Sequence, residues 1–240
     1  VCDLIQRKVG IETVLHFPTR GRNLLRVQGD LLASHAQEVR NVFVVMGDPT
    51  SIGDYPDAND NYDLVPSGLI KLIKQGFNAG FDHAGSDIGQ PTSFYVGCAL
   101  NLNPHEMSEE LKNLRRKLRA GADFVLTQPI YDIKLVEQFH AAYRASEGAD
   151  LPVPMIVGLL PLASARHAAF LQAEVPGITI PAEMLSRMQS AGENGAAVGI
   201  ELATDLALQL KKVAQGVYLM PAFGRYDRAA ELIEAIRAAK

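Results

Sequence analysis

Short apolar, β-branched runs alternate with segments of helical period along the whole chain, and this alternation restricts the fold more than any other feature. The runs fall at 12–16, 41–46, 93–99, 123–127, 153–159 and 216–220; helical spacing marks 24–38, 67–75, 104–120, 133–145, 163–172, 181–190, 199–213 and 226–239. A strand that returns only after a helix pairs in parallel with its predecessor, since a tight hairpin cannot join them. Val42-Phe43-Val44-Val45 and Phe124-Val125-Leu126 are apolar without alternation, the pattern of strands covered on both faces. The expectation is an α/β fold with a parallel sheet beneath helices.

Such a sheet is either open and doubly wound or closed into a barrel. No G-x-G-x-x-G turn follows any run, and a polar residue stands at or just past the end of nearly every one: His16, Asp48, Asn101, Gln128 and Arg225. Functional strand ends around one rim favour a (β/α)8 TIM barrel. Six runs are visible, against the eight strands of that fold. The chain begins without Met, and residues 1–8 read as the last turns of an amphipathic helix closed by Gly10. The reading is one barrel domain over residues 1–240, incomplete at its N-terminal side by two strand–helix units.

At 240 residues, 48% hydrophobic and 21% charged, the chain can bury one large core. A net charge of −4 argues against nucleic acid or a membrane surface as main partner. No apolar run approaches the roughly 20 residues of a membrane helix. Cys2 and Cys98 lack metal-type spacing, and a reducing cytoplasm fits them. Small molecules are the expected ligands.

Gly47-Asp48-Pro49 places a carboxylate past a buried run beside a glycine that admits close approach; the plain alternative is a turn cap. His16, Gln128, Tyr131 and Arg225 answer to the same position argument, each with a structural alternative of its own. The loops at 46–61 and 80–91, rich in Gly, Pro, Asp and Asn, read as places where ligand contacts collect. On the helix at 104–120, Leu111, Leu114 and Leu118 form the core stripe, while Glu110, Asn113, Arg116 and Lys117 share another face. That face is either solvated or a holder of phosphate groups. No G-x-S-x-G, H-E-x-x-H or P-loop motif occurs.

Taken together, HFPTRGRNL, VFVVMGDP with GDYP, PTSFYVGCALN, LRRKLRAGADFVLTQPIYD, VGLLPLAS, FLQAEVPGITIP and VYLMPAFGRY resemble the methylenetetrahydrofolate reductase family. The likeness covers the chain in order and is nearest to the bacterial form fused behind a homocysteine S-methyltransferase domain. It implies an FAD-binding barrel of one-carbon metabolism and methionine biosynthesis. There, NADH or NADPH reduces the flavin, which passes hydride to 5,10-methylenetetrahydrofolate. By the same resemblance His16, Met46, Gly47, Asp48, Asn103, Glu110, Asn113, Arg116 and Lys117 line the cofactor. Asp48, Gln128, Tyr131, His167 and Arg225 meet the folate, with Asp48 acting electrostatically and Tyr131 stacking nearby.

Departures accompany the likeness. His167 stands where some members carry glutamine, Glu110 where related sequences carry aspartate, and Asn101 and Asn103 where others place tyrosine and histidine. The family's general-acid glutamate, on its first strand, has no counterpart in this chain. A homo-oligomer stays open. So do two other readings: a non-catalytic folate- or flavin-binding barrel, and a folate-dependent methyltransferase barrel without FAD.

Overall fold

The computed structural model describes residues 1–238. Each expected run is a strand: β1 (Val14–Pro18), β2 (Asn41–Val45), β3 (Tyr95–Leu100), β4 (Phe124–Pro129), β5 (Met155–Leu159) and β6 (Gly216–Leu219). Their order in the sheet is their order in the chain. The pairs β1–β2, β2–β3 and β5–β6 are parallel, with His16 opposite Phe43, Val42 opposite Val96 and Val157 opposite Val217. Sequence-ordered strands joined through helices are the repeating unit of the (β/α) barrel class.

The helices are α1 (Cys2–Val9), α2 (Leu24–Ala36), α3 (Pro66–Lys71), α4 (Met107–Ala120), α5 (Lys134–Glu147), α6 (Ala165–Glu174), α7 (Ala182–Ser190), α8 (Gly195–Leu210) and α9 (Tyr226–Ala238). The helix expected over 226–239 is thus seen to Ala238, and residue 239 lies outside the described residues. The segment before Gly10 is helical and closed as expected: Gly10 adopts φ 74° and its N–H donates to the Gln6 carbonyl.

The chain divides into two compact units, Val1–Ala99 with Lys112–Val125, and Leu100–Leu111 with Leu126–Lys240. In the first, Val42, Val44, Val96, Leu69, Ile70, Ile73, Phe77 and Leu114 are buried. The turn Leu72–Gly76 widens to π geometry after α3, where one continuous helix over 67–75 was expected. It carries Lys74, whose Nζ meets Asp123 at 2.8 Å. The Asp123 carboxylate also accepts the Val96 N–H at 2.7 Å, which ties the entries of β3 and β4 to that turn. In the second unit Tyr131, Leu162, Ala168, Leu171, Ile180, Met188 and Leu202 form one cluster.

Three expectations are corrected. Most residues of β2, β4 and β5 are buried, but in β1 Phe17 alone is, and β6 is half-buried throughout. These two are the ends of the strand order, with one neighbour each. Strand β1 begins and ends two residues later than expected, so His16 is mid-strand and the chain turns after Pro18. The loop at 80–91 connects a helical turn to β3, in keeping with its place between a helical segment and a strand run in the sequence. There Asp82 accepts the N–H groups of Ala84 and Ser86, which closes the loop on itself.

The last correction concerns α8, which starts at Gly195 and not at 199. Glycines four apart weaken a helix on local propensity, but here they admit a close approach. A Cβ at Gly199 would lie 1.7 Å from the Leu162 carbonyl oxygen, and one at Gly195 would lie 3.2 Å from Ser164 Cα. Residues 162–164 therefore rest on the bare backbone of α8. Gly199→Ala is expected to lower unfolding stability by about 3 kcal/mol, since backbone must move to admit the methyl. Urea denaturation of the variant measures this, with Ala197→Gly as a propensity control of about 1 kcal/mol.

Candidate functional site

The first unit presents Gly47-Asp48 past the end of β2. The tail of β1 sets its geometry: Thr19 and Arg20 N–H groups donate to the Val45 and Met46 carbonyls at 3.0 and 2.9 Å, and Arg20 Nε donates to the Gly47 carbonyl at 3.1 Å. Gly47 adopts φ 84°, open to glycine, and a Cβ there would touch Pro18 at 3.2 Å. This turn lifts Asp48 into solvent. Met46 turns its sulfur to the Thr19 hydroxyl at 3.3 Å. The His16 ring packs edge-on against Phe43 at 4.9 Å, and partial desolvation lowers its pKa.

The cluster expected on α4 separates into two pairs. Lys117 donates to the Ala99 carbonyl at 2.7 Å, and Glu110 accepts the Asn101 N–H at 3.1 Å, so these two hold the helix to the end of β3. Positions seven apart share a helix face, which is why both reach the strand. Asn113 and Arg116 instead bond each other, Nη2 to Oδ1 at 2.7 Å, with Arg116 exposed. They are the part of the cluster whose donors stay clear of the fold.

In the second unit the ends of β3 and β4 meet through side chains. Gln128 donates Nε2 to Asn101 Oδ1, and that same oxygen accepts the Asn103 N–H at 2.9 Å. Asn103 Nδ2 donates to the Gly177 carbonyl and the Thr179 hydroxyl at 3.2 and 3.0 Å. Expected as a cofactor contact, Asn103 has its amide committed to the loop between α6 and α7. Tyr131 is corrected from a stacking residue to a core residue. It is 5% exposed, its hydroxyl donates to the Leu160 carbonyl at 2.9 Å, and burial raises its pKa. A ring flanked by Ile130 and followed by the start of α5 turns inward because burying a phenol with its hydroxyl bonded is favourable.

His167 lies in the first turn of α6. Its N–H donates to the Ser164 hydroxyl at 3.1 Å while its Nδ1 accepts the Ala163 N–H at 3.1 Å, a reciprocal cap with imidazole in place of the usual carboxylate. Its ring meets Phe223 edge-on at 5.1 Å. Phe223 adopts φ 55°, a strained value for a residue with a side chain. Two residues on, Arg225 gives Nε and Nη2 to Asp227 at 2.9 and 2.6 Å, and this pairing pulls the Asp227 pKa down to about 2. A cavity of about 260 Å³ adjoins them, lined by Leu162, Ile200, Met220, Phe223, Arg225 and Arg228.

Sequence reasoning missed Asn101 as a shared acceptor and Tyr218 as a strand tie. The Tyr218 hydroxyl donates to the Thr127 carbonyl at 2.6 Å, and burial lifts its pKa to about 12. The position of Asn101 just past a buried run was the available signal. Among the described residues no cluster of metal-ligating side chains occurs, and no helix is long and apolar enough to cross a membrane.

With Nδ1 accepting a backbone N–H, the His167 proton sits on Nε2, and burial lowers the pKa of the ring. A depressed histidine pKa means that the unfolded chain binds the proton more readily. Stability from this cap is therefore complete above the ordinary value near 6.5 and is lost as pH falls below it. Histidine NMR is expected to show the Nε2–H tautomer at pH 7, and loosening of the first turn of α6 as pH falls below the ordinary histidine value of 6.5.

The family model described as methylenetetrahydrofolate reductase matches residues 1–237. Similar curated proteins include methylenetetrahydrofolate reductase 1 of Schizosaccharomyces pombe, 24% identical over 90% of this chain and 34% of its own length. Methylenetetrahydrofolate reductase 2 of Saccharomyces cerevisiae is 26% identical over 85% of this chain and 32% of its own length. The 5,10-methylenetetrahydrofolate reductase of Escherichia coli is 27% identical over 67% of the chain and 50% of its own length. The chain thus spans about a third of the first two relatives. A Clostridium thermocellum structure, described as binding two copies of 5-methyl-5,6,7,8-tetrahydrofolic acid, shares the fold with TM-score 0.64 and 13% identity over 99% of this chain and 78% of its own. The match over nearly every residue assigns the chain to the methylenetetrahydrofolate reductase family.

Proposed function

We propose that the chain is the flavin-binding part of a reductase that converts 5,10-methylenetetrahydrofolate to 5-methyltetrahydrofolate, with NADH or NADPH as electron donor. Family membership over residues 1–237 carries the reading. The polar strand ends support it, since Asp48 and Gln128 stand past or at the ends of strands whose other residues are mostly buried. A cytoplasmic location and a fused homocysteine S-methyltransferase domain belong to the same reading.

The donor set on α4 fits a phosphate-bearing cofactor. The exposed Arg116 guanidinium offers several N–H groups beside the Asn113 amide, and planar guanidinium matches phosphate oxygens. When bound, FAD supplies the carrier that relays hydride from nicotinamide to folate. The protein's own part is electrostatic and positional. The Asp48 carboxylate, held on the Gly47 turn, favours the cationic iminium form of the methylene substrate. Gln128 binds the pterin through its amide. Asp227 occupies Nε and Nη2 of Arg225, which leaves Nη1 for an anionic group on the ligand.

The test is the visible spectrum of the protein with FAD, followed anaerobically through addition of NADH and then methylenetetrahydrofolate. Bound flavin that bleaches with NADH and regains colour with the folate is the expected result. Asp48→Asn should slow recolouring by about 100-fold and leave bleaching near the unsubstituted rate. Failure to bind flavin would overturn the reading in favour of a folate-binding barrel without FAD.

A further inference from the structure

A glutamine amide can be placed in two senses, with its nitrogen or its oxygen toward a given neighbour. At the end of β4 the neighbour of Gln128 is Asn101, and the orientation of Asn101 is itself fixed. Its Oδ1 accepts the Asn103 backbone N–H at 2.9 Å, a donor that cannot be reversed. Its own N–H is held by Glu110 at 3.1 Å, so the residue is anchored at both ends. Gln128 therefore meets Oδ1 with Nε2. Gly177 adds a wall on the same side: a Cβ built on it would lie 3.8 Å from Nε2. That loop is kept in place by the Asn103 bonds to Gly177 and Thr179. Among the described residues no donor meets Gln128 Oε1, and Gln128 is half-buried.

We propose that Asn101 is a positioning residue that fixes the sense of the Gln128 amide, leaving Oε1 as an acceptor for the amino group on the heterocyclic ring of the ligand. With the opposite sense, the two oxygens of Asn101 and Gln128 would face each other, and the strand end would offer a donor instead. The identity of the ligand rests on the folate reading above. The positioning rests on the side-chain bonds alone.

The variants are Asn101→Leu, which removes the acceptor at similar volume, and Asn101→Asp, which keeps an oxygen for both N–H groups. The first readout needs no ligand: NMR of glutamine-labelled protein. In the unsubstituted protein and Asn101→Asp, the Gln128 NH2 signals should be well dispersed and slow to exchange; in Asn101→Leu they should collapse toward solvent values. The second is binding of 5-methyltetrahydrofolate against its analogue with methyl in place of the 2-amino group. Asn101→Leu is expected to lose about 10-fold in affinity for the folate and little for the analogue, whereas Asn101→Asp keeps the discrimination. FAD affinity should stay constant in both.

Unaltered Gln128 signals in Asn101→Leu would overturn the positioning. An equal loss for both ligands would overturn recognition of that amino group. A fixed amide in a protein that binds neither ligand would uphold the positioning and sink the folate reading instead.

Discussion

A parallel strand covered on both faces has no room for polar side chains until its backbone pairing runs out. Val42, Val44, Val125 and Leu126 follow that constraint, and all are buried. The exception, Thr127, is 2% exposed and fully used. Its hydroxyl donates to the Gln128 carbonyl and accepts the Gly158 N–H, and its carbonyl receives the Tyr218 hydroxyl. In β2 and β4 the other polar side chains, Asn41 and Gln128, stand at or next to a strand end. The candidate site residues Asp48 and Gln128 stand near strand ends for that reason.

Polar side chains also fix the helices to those strands. Lys74 joins the π turn to Asp123 at the entry of β4, while Lys117 and Glu110 join α4 to the exit of β3. These bonds satisfy backbone groups that pairing leaves open, the N–H of Val96 and Asn101 and the carbonyl of Ala99. Leaving such groups unmet near the core would cost about 1–3 kcal/mol each. A charged residue on an amphipathic helix can thus be structural at one position while its chain neighbour stays exposed, as Lys117 and Arg116 are.

Much of this was legible beforehand. All six strands were placed within two residues of their bounds, because uninterrupted β-branched runs between turn residues are a local signal. The Gly10 cap was legible for the same reason. The start of α8 was not, since Gly195 and Gly199 weaken a helix locally and are justified only by the backbone of 162–164 lying against them. Of the candidate site, positions were readable and attachments were not. Gln128 and Asn101 stood at strand ends in the sequence, but nothing 27 residues apart in the chain could show that one amide orients the other. Tyr131, also near a strand end, turned into the core.

The sequence by itself determined the kind and order of the elements, the parallel α/β class, and the strand ends at which polar residues gather. These follow from periodicity and turn propensity, which act over a few residues. Tertiary structure decided which of those polar groups bond to one another, which glycines carry close packing, and which charges remain available to a ligand. Those outcomes depend on distances between segments far apart in the chain, and such distances exist only once the strands have paired and the helices have settled on them.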